Sequence, residues 1–214
     1  MRVYIGYDPR QPIAHAVAAH SMWEKSSGPV SISPLRLNQL PLTRRGLTEF
    51  TYSRFLVPHV SNYEGVSLFV DADTLTRADV YEMLAYPIAY PDVPVFVVKG
   101  KLKFEWSSVM LFNNALCRNL TPEFVENPAN AMFDMAWAER IGKLPAQWNH
   151  LVGYDKYDAG AKLVHFTQGV PVWPETKNCD FSTEWLEMYR HMNSSVSFNE
   201  LMGGSIHVQH MKFA

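Results

Sequence analysis

The run Ser67-Leu68-Phe69-Val70-Asp71-Ala72-Asp73 constrains this chain more than any other segment. Its apolar half reads as a buried strand, and two carboxylates stand where that strand should end. On an extended backbone, residues two apart point to the same side. Asp71 and Asp73 therefore converge, while the small Ala72 faces away. Two close anionic oxygens repel each other unless a cation lies between them. A hard divalent ion such as Mg²⁺ or Mn²⁺ takes oxygen ligands and bridges to a diphosphate. The competing reading is local: Asp71 caps the next helix and Asp73 faces solvent.

Composition narrows the classes. A chain of 214 residues is most simply one compact domain, residues 1–214, large enough to bury a substantial core. It is 47% hydrophobic and 19% charged, ordinary for a soluble enzyme. The formal charge is 19 − 21 = −2 with no basic block, so charge alone does not point to nucleic acid. Cys117 and Cys179 lie far apart and make no metal-type pair; two buried thiols in a reducing cytoplasm are expected. The start, Met1-Arg2-Val3-Tyr4-Ile5, goes straight into a strand. No signal-peptide core and no bilayer-length apolar run is visible, so a cytoplasmic location is expected.

Pattern places strands at 2–7, 30–37, 66–70, 93–98, 107–112 and 162–166. Helices are expected at 13–25, 48–60, 79–84, 129–141 and 183–192, with Pro12 in a first turn and Pro58 at a last turn or kink. Pro34 argues that the second strand lies near a sheet edge. The tail 198–214 has no clear pattern. Strand and helix alternate through the first half, which argues for a mostly parallel α/β sheet. Ligands of such sheets bind beyond the carboxyl ends of strands, where Tyr7-Asp8 and Asp71-Asp73 both fall.

Four segments resemble the nucleotide-sugar glycosyltransferases of the GT-A fold, and within them family eight, the glycogenin and lipopolysaccharide galactosyltransferase group. They are Val3-Tyr4-Ile5-Gly6-Tyr7-Asp8, Thr51-Tyr52-Ser53-Arg54-Phe55-Leu56, Leu68-Phe69-Val70-Asp71-Ala72-Asp73 and Ser107-Ser108-Val109-Met110-Leu111-Phe112-Asn113. A fifth, His165-Phe166-Thr167-Gln168-Gly169, is similar to the family's late histidine segment. The matches run in the right order as far as Trp173.

The resemblance implies a GT-A, Rossmann-like sheet flanked by helices. It implies a metal, Mn²⁺ or Mg²⁺, held by Asp71, Asp73 and His165. An imidazole beside two carboxylates suits Mn²⁺ better. Arg54 would approach the diphosphate or donor sugar. Gly6, Tyr7 and Asp8 would border the base and ribose, and Ala72 would lie between the metal ligands. Read without the family, Arg54 is a helix-surface charge, Tyr7 is core packing and His165 is a core histidine.

Departures from the family pattern fall where sugar and acceptor are chosen. Trp106-Ser107-Ser108 stands where the family has Asn-Ser-Gly, and Phe133-Asp134-Met135 replaces its Asp-Gln pair. Its late lysine has no counterpart except Lys177, if the loop folds back. Asp134 is the nearest candidate for a sugar-side catalytic carboxylate. Trp148, in the loop Gln147-Trp148-Asn149-His150, offers either a stacking face for a sugar or an anchor to the core. The expected activity is metal-dependent transfer from a nucleotide-sugar, a uridine diphosphate sugar by resemblance, with retention. The acceptor is open among a glycan, a lipid-linked sugar, a protein side chain and a modified nucleobase. Two other classes compete: a nucleotidyltransferase acting on sugar phosphates, and a catalytically silent nucleotide or sugar binding module. The segment Gly6-Tyr7-Asp8-Pro9-Arg10 is a poor phosphate loop, which weighs against the first.

Overall fold

In the computed structural model, which describes residues 1–193, strand and helix alternate from the first turn of the chain. The unpatterned tail 198–214 lies outside the described residues. Strand β1 (Arg2–Gly6) leads into helix α1 (Pro12–Lys25) and then β2 (Ser31–Leu35). Pro12 opens α1 at a position whose N–H has no helical partner anyway. Ala14, Val17, Ala18, Ser21 and Met22 bury the inner face of the helix. β2 is an edge strand, as Pro34 predicts.

The single helix expected at 48–60 is instead three short turns: α2 (Phe50–Ser53), a 3₁₀ turn at Arg54–Leu56, and α3 (Val57–Val60). Pro58 has no N–H to continue a helix, and it sits in the first turn of α3, where none is needed. There follow β3 (Val66–Val70), β4 (Thr74–Thr76), a 3₁₀ turn at Val80–Leu84, α4 (Ala85–Ala89) and β5 (Val95–Val98). Asp79 caps the 3₁₀ turn by accepting from the Tyr81 N–H.

The strand expected at 107–112 starts later, as β6 (Val109–Asn113). Ser107 and Ser108 close a 3₁₀ turn at Lys103–Ser108. After α5 (Pro122–Glu126) comes the clearest departure. Residues 129–141 do not form a helix. They make a 3₁₀ turn at Met132–Asp134, and Ile141 begins β7 (Ile141–Leu144). Met135 adopts a left-handed conformation with φ 54°, which stops the turn. Trp137 Nε1 folds back to donate to Met132 O. Met132, Met135 and Trp137 all reach the core from this irregular chain, so their apolar spacing imitates a helix. A 3₁₀ turn at Ala146–Asn149, β8 (His150–Leu151), β9 (Leu163–His165) and α6 (Ser182–Met192) complete the described residues.

The main sheet runs in the order β2-β1-β3-β6-β5-β7. β1 is parallel to β2 and β3, and β5 is parallel to β7; β6 runs against both of its neighbours. The fold is therefore α/β with a central, mostly parallel sheet. Side chains alternate across it. Leu68, Val70, Val109, Leu111 and Phe96 pack with Ala18 and Met22 of α1. Phe69, Met110, Phe112 and Val97 pack on the other face with Phe55, Leu56 and Trp137.

A small second sheet, β4-β9-β8, crosses the carboxyl end of β3. β4 and β9 are antiparallel with Thr74 opposite His165. This pairing carries a histidine from late in the chain to the two carboxylates that precede β4.

Candidate active site

β1 and β3 are parallel neighbours with Ile5 opposite Val70, so residues 6–8 and 71–73 leave the sheet side by side. The bend after β3 is pinned at three points. Asp71 N donates to Ser108 O at 3.0 Å and Phe166 N donates to Asp73 O at 2.9 Å. Thr74 Oγ1 donates to Asp71 O at 2.9 Å. The carboxylates thus converge from a bend rather than from a strand, and Ala72, expected to face away, lines the adjoining cleft together with Asp73.

His165 Nε2 lies 3.3 Å from Asp73 Oδ1 and 3.9 Å from Asp71 Oδ2. One ligand atom from each of the three residues falls within 4.8 Å of the others. The opposite ring nitrogen, Nδ1, lies 3.2 Å from Asn149 Oδ1. Asn149 is itself buried and oriented, because its Nδ2 donates to Glu105 O at 3.0 Å. With the amide oxygen facing the ring, Nδ1 keeps its proton, and Nε2, turned toward the carboxylates, is the nitrogen that would give up its own proton to take a cation.

Glu105 was not singled out by the sequence. It arrives on the turn before β6, with Oε2 3.6 Å from His165 Nδ1 and accepting from Ser108 Oγ at 2.6 Å.

Arg54 is only 2% exposed, which excludes a helix-surface charge. Its Nε donates to Phe50 O, and its Nη1 donates to Ser107 O at 3.0 Å and Ser107 Oγ at 3.1 Å. The same Nη1 sits 3.0 Å from Asp71 Oδ1 as an ion pair. That contact lacks hydrogen-bond alignment, so Asp71 Oδ1 still has no hydrogen-bond partner; nor does the buried Oδ1 of Asp73.

Electrostatics follow from this crowding. Burial pushes the Asp71 carboxyl up to about 6, with Arg54 and His165 opposing and Asp73 and Glu105 adding to the rise. For His165 burial acts downward, yet Asp73, Asp71 and Glu105 together raise it to about 9. Three carboxylates around one imidazole draw a proton when no cation is present. Asp71 Oδ2 and Asp73 Oδ1 converge on His165 Nε2, and this mixed O/N donor set fits a divalent ion.

A cleft of about 370 Å³ opens beside Asp73, lined by Asp8, Arg10, Phe50, Ala72, Asp73 and Trp173 among others. Arg10 grips Asp8 at 2.9 and 2.5 Å and holds its carboxyl below the usual range. Gly6 is required by close approach, since a Cβ there would lie 2.5 Å from the Phe50 ring. Tyr7 carries the Arg36 guanidinium 4.2 Å from its ring centroid, with His15 edge-on at 5.5 Å.

Asp134 stands apart. It is exposed and 3.3 Å from Lys103 Nζ, with no hydrogen bond or ion pair to Asp71, Asp73 or His165. Trp148 is 1% exposed and anchors its loop in the core, which leaves no face for a sugar.

The fold is that of GT-A glycosyltransferases. The bifunctional glycosyltransferase WbbM superposes with TM-score 0.65 and 14% identity over 94% of this chain, which spans 51% of that one. The galactosyltransferase LgtC, solved with donor and acceptor sugar analogs, gives TM-score 0.60 and 10% identity over 94% of this chain and 99% of its own. GlyE of Streptococcus pneumoniae gives 0.64 and 14% over 88% and 60%. The chain therefore spans about half of WbbM and nearly all of LgtC.

In sequence it is 33% identical to Protein CDI of Arabidopsis thaliana over 227 residues, covering 90% of this chain and 87% of that protein. The chain belongs to the Protein CDI family. No protein-family model matches the sequence. Among the described residues, no helix is long and apolar enough to cross a membrane.

Proposed function

We propose that this chain is a metal-dependent glycosyltransferase resembling family eight. It takes a uridine diphosphate sugar and transfers the sugar, with retention, to an acceptor hydroxyl. The observation that carries this reading is the convergence of Asp71, Asp73 and His165, one ligand atom from each within 4.8 Å of the others, beside the cleft that Asp8 and Asp73 line. The site stands at strand ends in a fold shared with a galactosyltransferase solved with sugar analogs.

Asp71, Asp73 and His165 would hold Mn²⁺, whose contribution is Lewis-acid neutralisation of the departing nucleoside diphosphate. The protein's own groups prepare that event. Asn149 fixes the His165 ring with Nε2 forward. Arg54 places a fixed positive charge behind Asp71 in a dry setting, and its field extends toward the phosphates. Asp8, ionised beside Arg10, accepts from ribose hydroxyls or a ring N–H at the cleft rim. Phe50 and Trp173 supply apolar walls that exclude water from the sugar. Tyr7 meets the base once Arg36 swings off its ring face.

Glu105 lies on the Nδ1 side of His165, away from the cleft, and helps set the charge around the imidazole, while Asp134 remains at the surface beside Lys103. Of the two carboxylates that line the cleft, Asp8 is held by Arg10 and Asp73 belongs to the proposed metal cluster, so neither is offered as the nucleophile of a double displacement. Transfer on the same face, with the leaving phosphate accepting the acceptor's proton, asks least of the protein. Both cysteines are free thiols; Cys117 is buried as expected, whereas Cys179 is half-buried.

Slow donor hydrolysis, with water replacing the unidentified acceptor, tests the reading. The parent protein should release uridine diphosphate from a uridine diphosphate hexose with Mn²⁺ and stop on chelation. Asp71→Asn and Asp73→Asn should be silent. Release at the same rate in parent and variants, or release indifferent to chelator, removes the reading.

A further inference from the structure

Helices α1 and α6 pack against each other on the side of the fold that carries the small sheet. We propose that His20, Glu24 and His191 form a second metal site there, one that takes Zn²⁺ and staples α6 onto α1. This goes beyond the transferase reading and does not depend on it.

His20 and Glu24 are one turn apart on α1, so their side chains share a face. His20 Nε2 lies 3.9 Å from Glu24 Oε1, and His191 Nδ1 of α6 lies 4.0 Å from Glu24 Oε2. The two imidazole rings stand 5.4 Å apart at 65°. One ligand atom of each residue is within 4.8 Å of the others. The second observation is His20 Nε2 itself, shielded from solvent and without a hydrogen-bond partner although it is turned toward the carboxylate. A tetrahedral ion with bonds of about 2.0–2.1 Å holds its ligand atoms about 3.3–3.4 Å apart. Modest rotation of the Glu24 and His191 side chains, 41% and 61% exposed, closes that gap.

A cleft of about 430 Å³ lined by Glu24 and His191 offers an entry path, and Glu187, one turn before His191, also lines it. The donor sets of the two clusters differ. Two imidazoles and a carboxylate suit Zn²⁺ and its borderline neighbours Fe²⁺, Ni²⁺ and Cu²⁺, whereas two carboxylates and one imidazole lean toward harder ions such as Mn²⁺. The position has a consequence for the cleft. Ser21, on the same helix, accepts from Thr76 N of β4, the strand paired with the one that bears His165. A staple on α1 therefore steadies the sheet that positions His165.

The test uses the full chain stripped of metal, in an Asp71→Asn/Asp73→Asn background that silences the first cluster. Zn²⁺ is the probe, followed by equilibrium dialysis and Tm. Zn²⁺ should bind and raise Tm, and Mg²⁺ should do neither. Glu24→Gln and the surface change His191→Gln should each weaken Zn²⁺ binding by at least about tenfold and remove the Tm rise. Neither change buries or exposes the core, so both variants should fold. Unchanged affinity and an unchanged Tm rise in both overturn the proposal, as does the absence of Zn²⁺ binding in the background protein.

Discussion

Arg54→Met separates a structural cation from a solvent-facing one. Methionine replaces most of the stem and removes the charge. In the native chain the guanidinium satisfies Phe50 O, Ser107 O and Ser107 Oγ and stands 3.0 Å from Asp71, all in the interior. Its loss removes three hydrogen bonds, each worth about 0.5–1.5 kcal/mol net, although Phe50 O keeps the backbone N–H of residue 54. It also leaves Asp71 buried without its nearest positive charge. Removing one partner of a buried pair, its hydrogen bonds included, costs about 3–5 kcal/mol. At about 2–4 °C per kcal/mol for a chain of this size, Tm should fall by about 6–20 °C. Urea unfolding in the presence of chelator reads the loss directly.

The double variant Arg54→Met/Asp71→Asn is the control, because removing the stranded anion should recover at least about 1.5 kcal/mol of the loss. Arg54→Met within about 1 kcal/mol of the parent would refute the reasoning, and so would a double variant no more stable than the single.

Three further outcomes follow from other contacts. Ser21→Ala removes the Oγ that accepts from Thr76 N and should cost about 1–3 kcal/mol, since that N–H is left unpaired in the interior; an unchanged urea midpoint would contradict it. Gly6→Ala pushes a methyl to 2.5 Å from the Phe50 ring, and should cost about 1–3 kcal/mol and weaken stabilisation by uridine diphosphate; full nucleotide-induced stabilisation would count against Phe50 as a cleft wall. Burial, with Arg36 adding to it, lowers the His15 imidazole below its usual 6.5. The unfolded chain then takes up that proton first, so His15 costs nothing well above about pH 6.5 and removes stability as pH falls below it. His15→Phe should therefore lose less stability than the parent between about pH 7.5 and 5.5, and equal losses would show that His15 titrates normally.

The parts of the fold that sequence reveals are those where one face of a regular element carries the information. β1, α1 and β3 show their period because every inward residue enters one of two cores. The segment 129–141 misleads because Met132, Met135 and Trp137 are buried from a chain that breaks at a left-handed Met135. β4 and β8 are three and two residues long, too short for any alternation to register. At the site, the paired aspartates announce themselves by their place at a strand end, and His165 is legible only beside them. Glu105 and the clamp by Asn149 depend on a 3₁₀ turn and a second sheet that bring distant residues together, and no local pattern encodes that. Arg54 is visible as a residue, but its burial against Asp71 is a tertiary fact.

Metal-dependent nucleotide binding is most directly read by titrating uridine diphosphate into the protein calorimetrically, with Mn²⁺ and with chelator. The parent should bind tightly with Mn²⁺ and weakly without it. Asp73→Asn and His165→Ala should lose the metal-dependent part while keeping their fold, and guanosine and adenosine diphosphates should bind less well. Ligand stabilisation scales with the logarithm of concentration over Kd, so Tm at one ligand concentration should give the same order. A preference for guanosine diphosphate would overturn the uridine assignment alone. Equal binding with and without metal, or full metal-dependent binding in both variants, would contradict Asp71, Asp73 and His165 as the cation site.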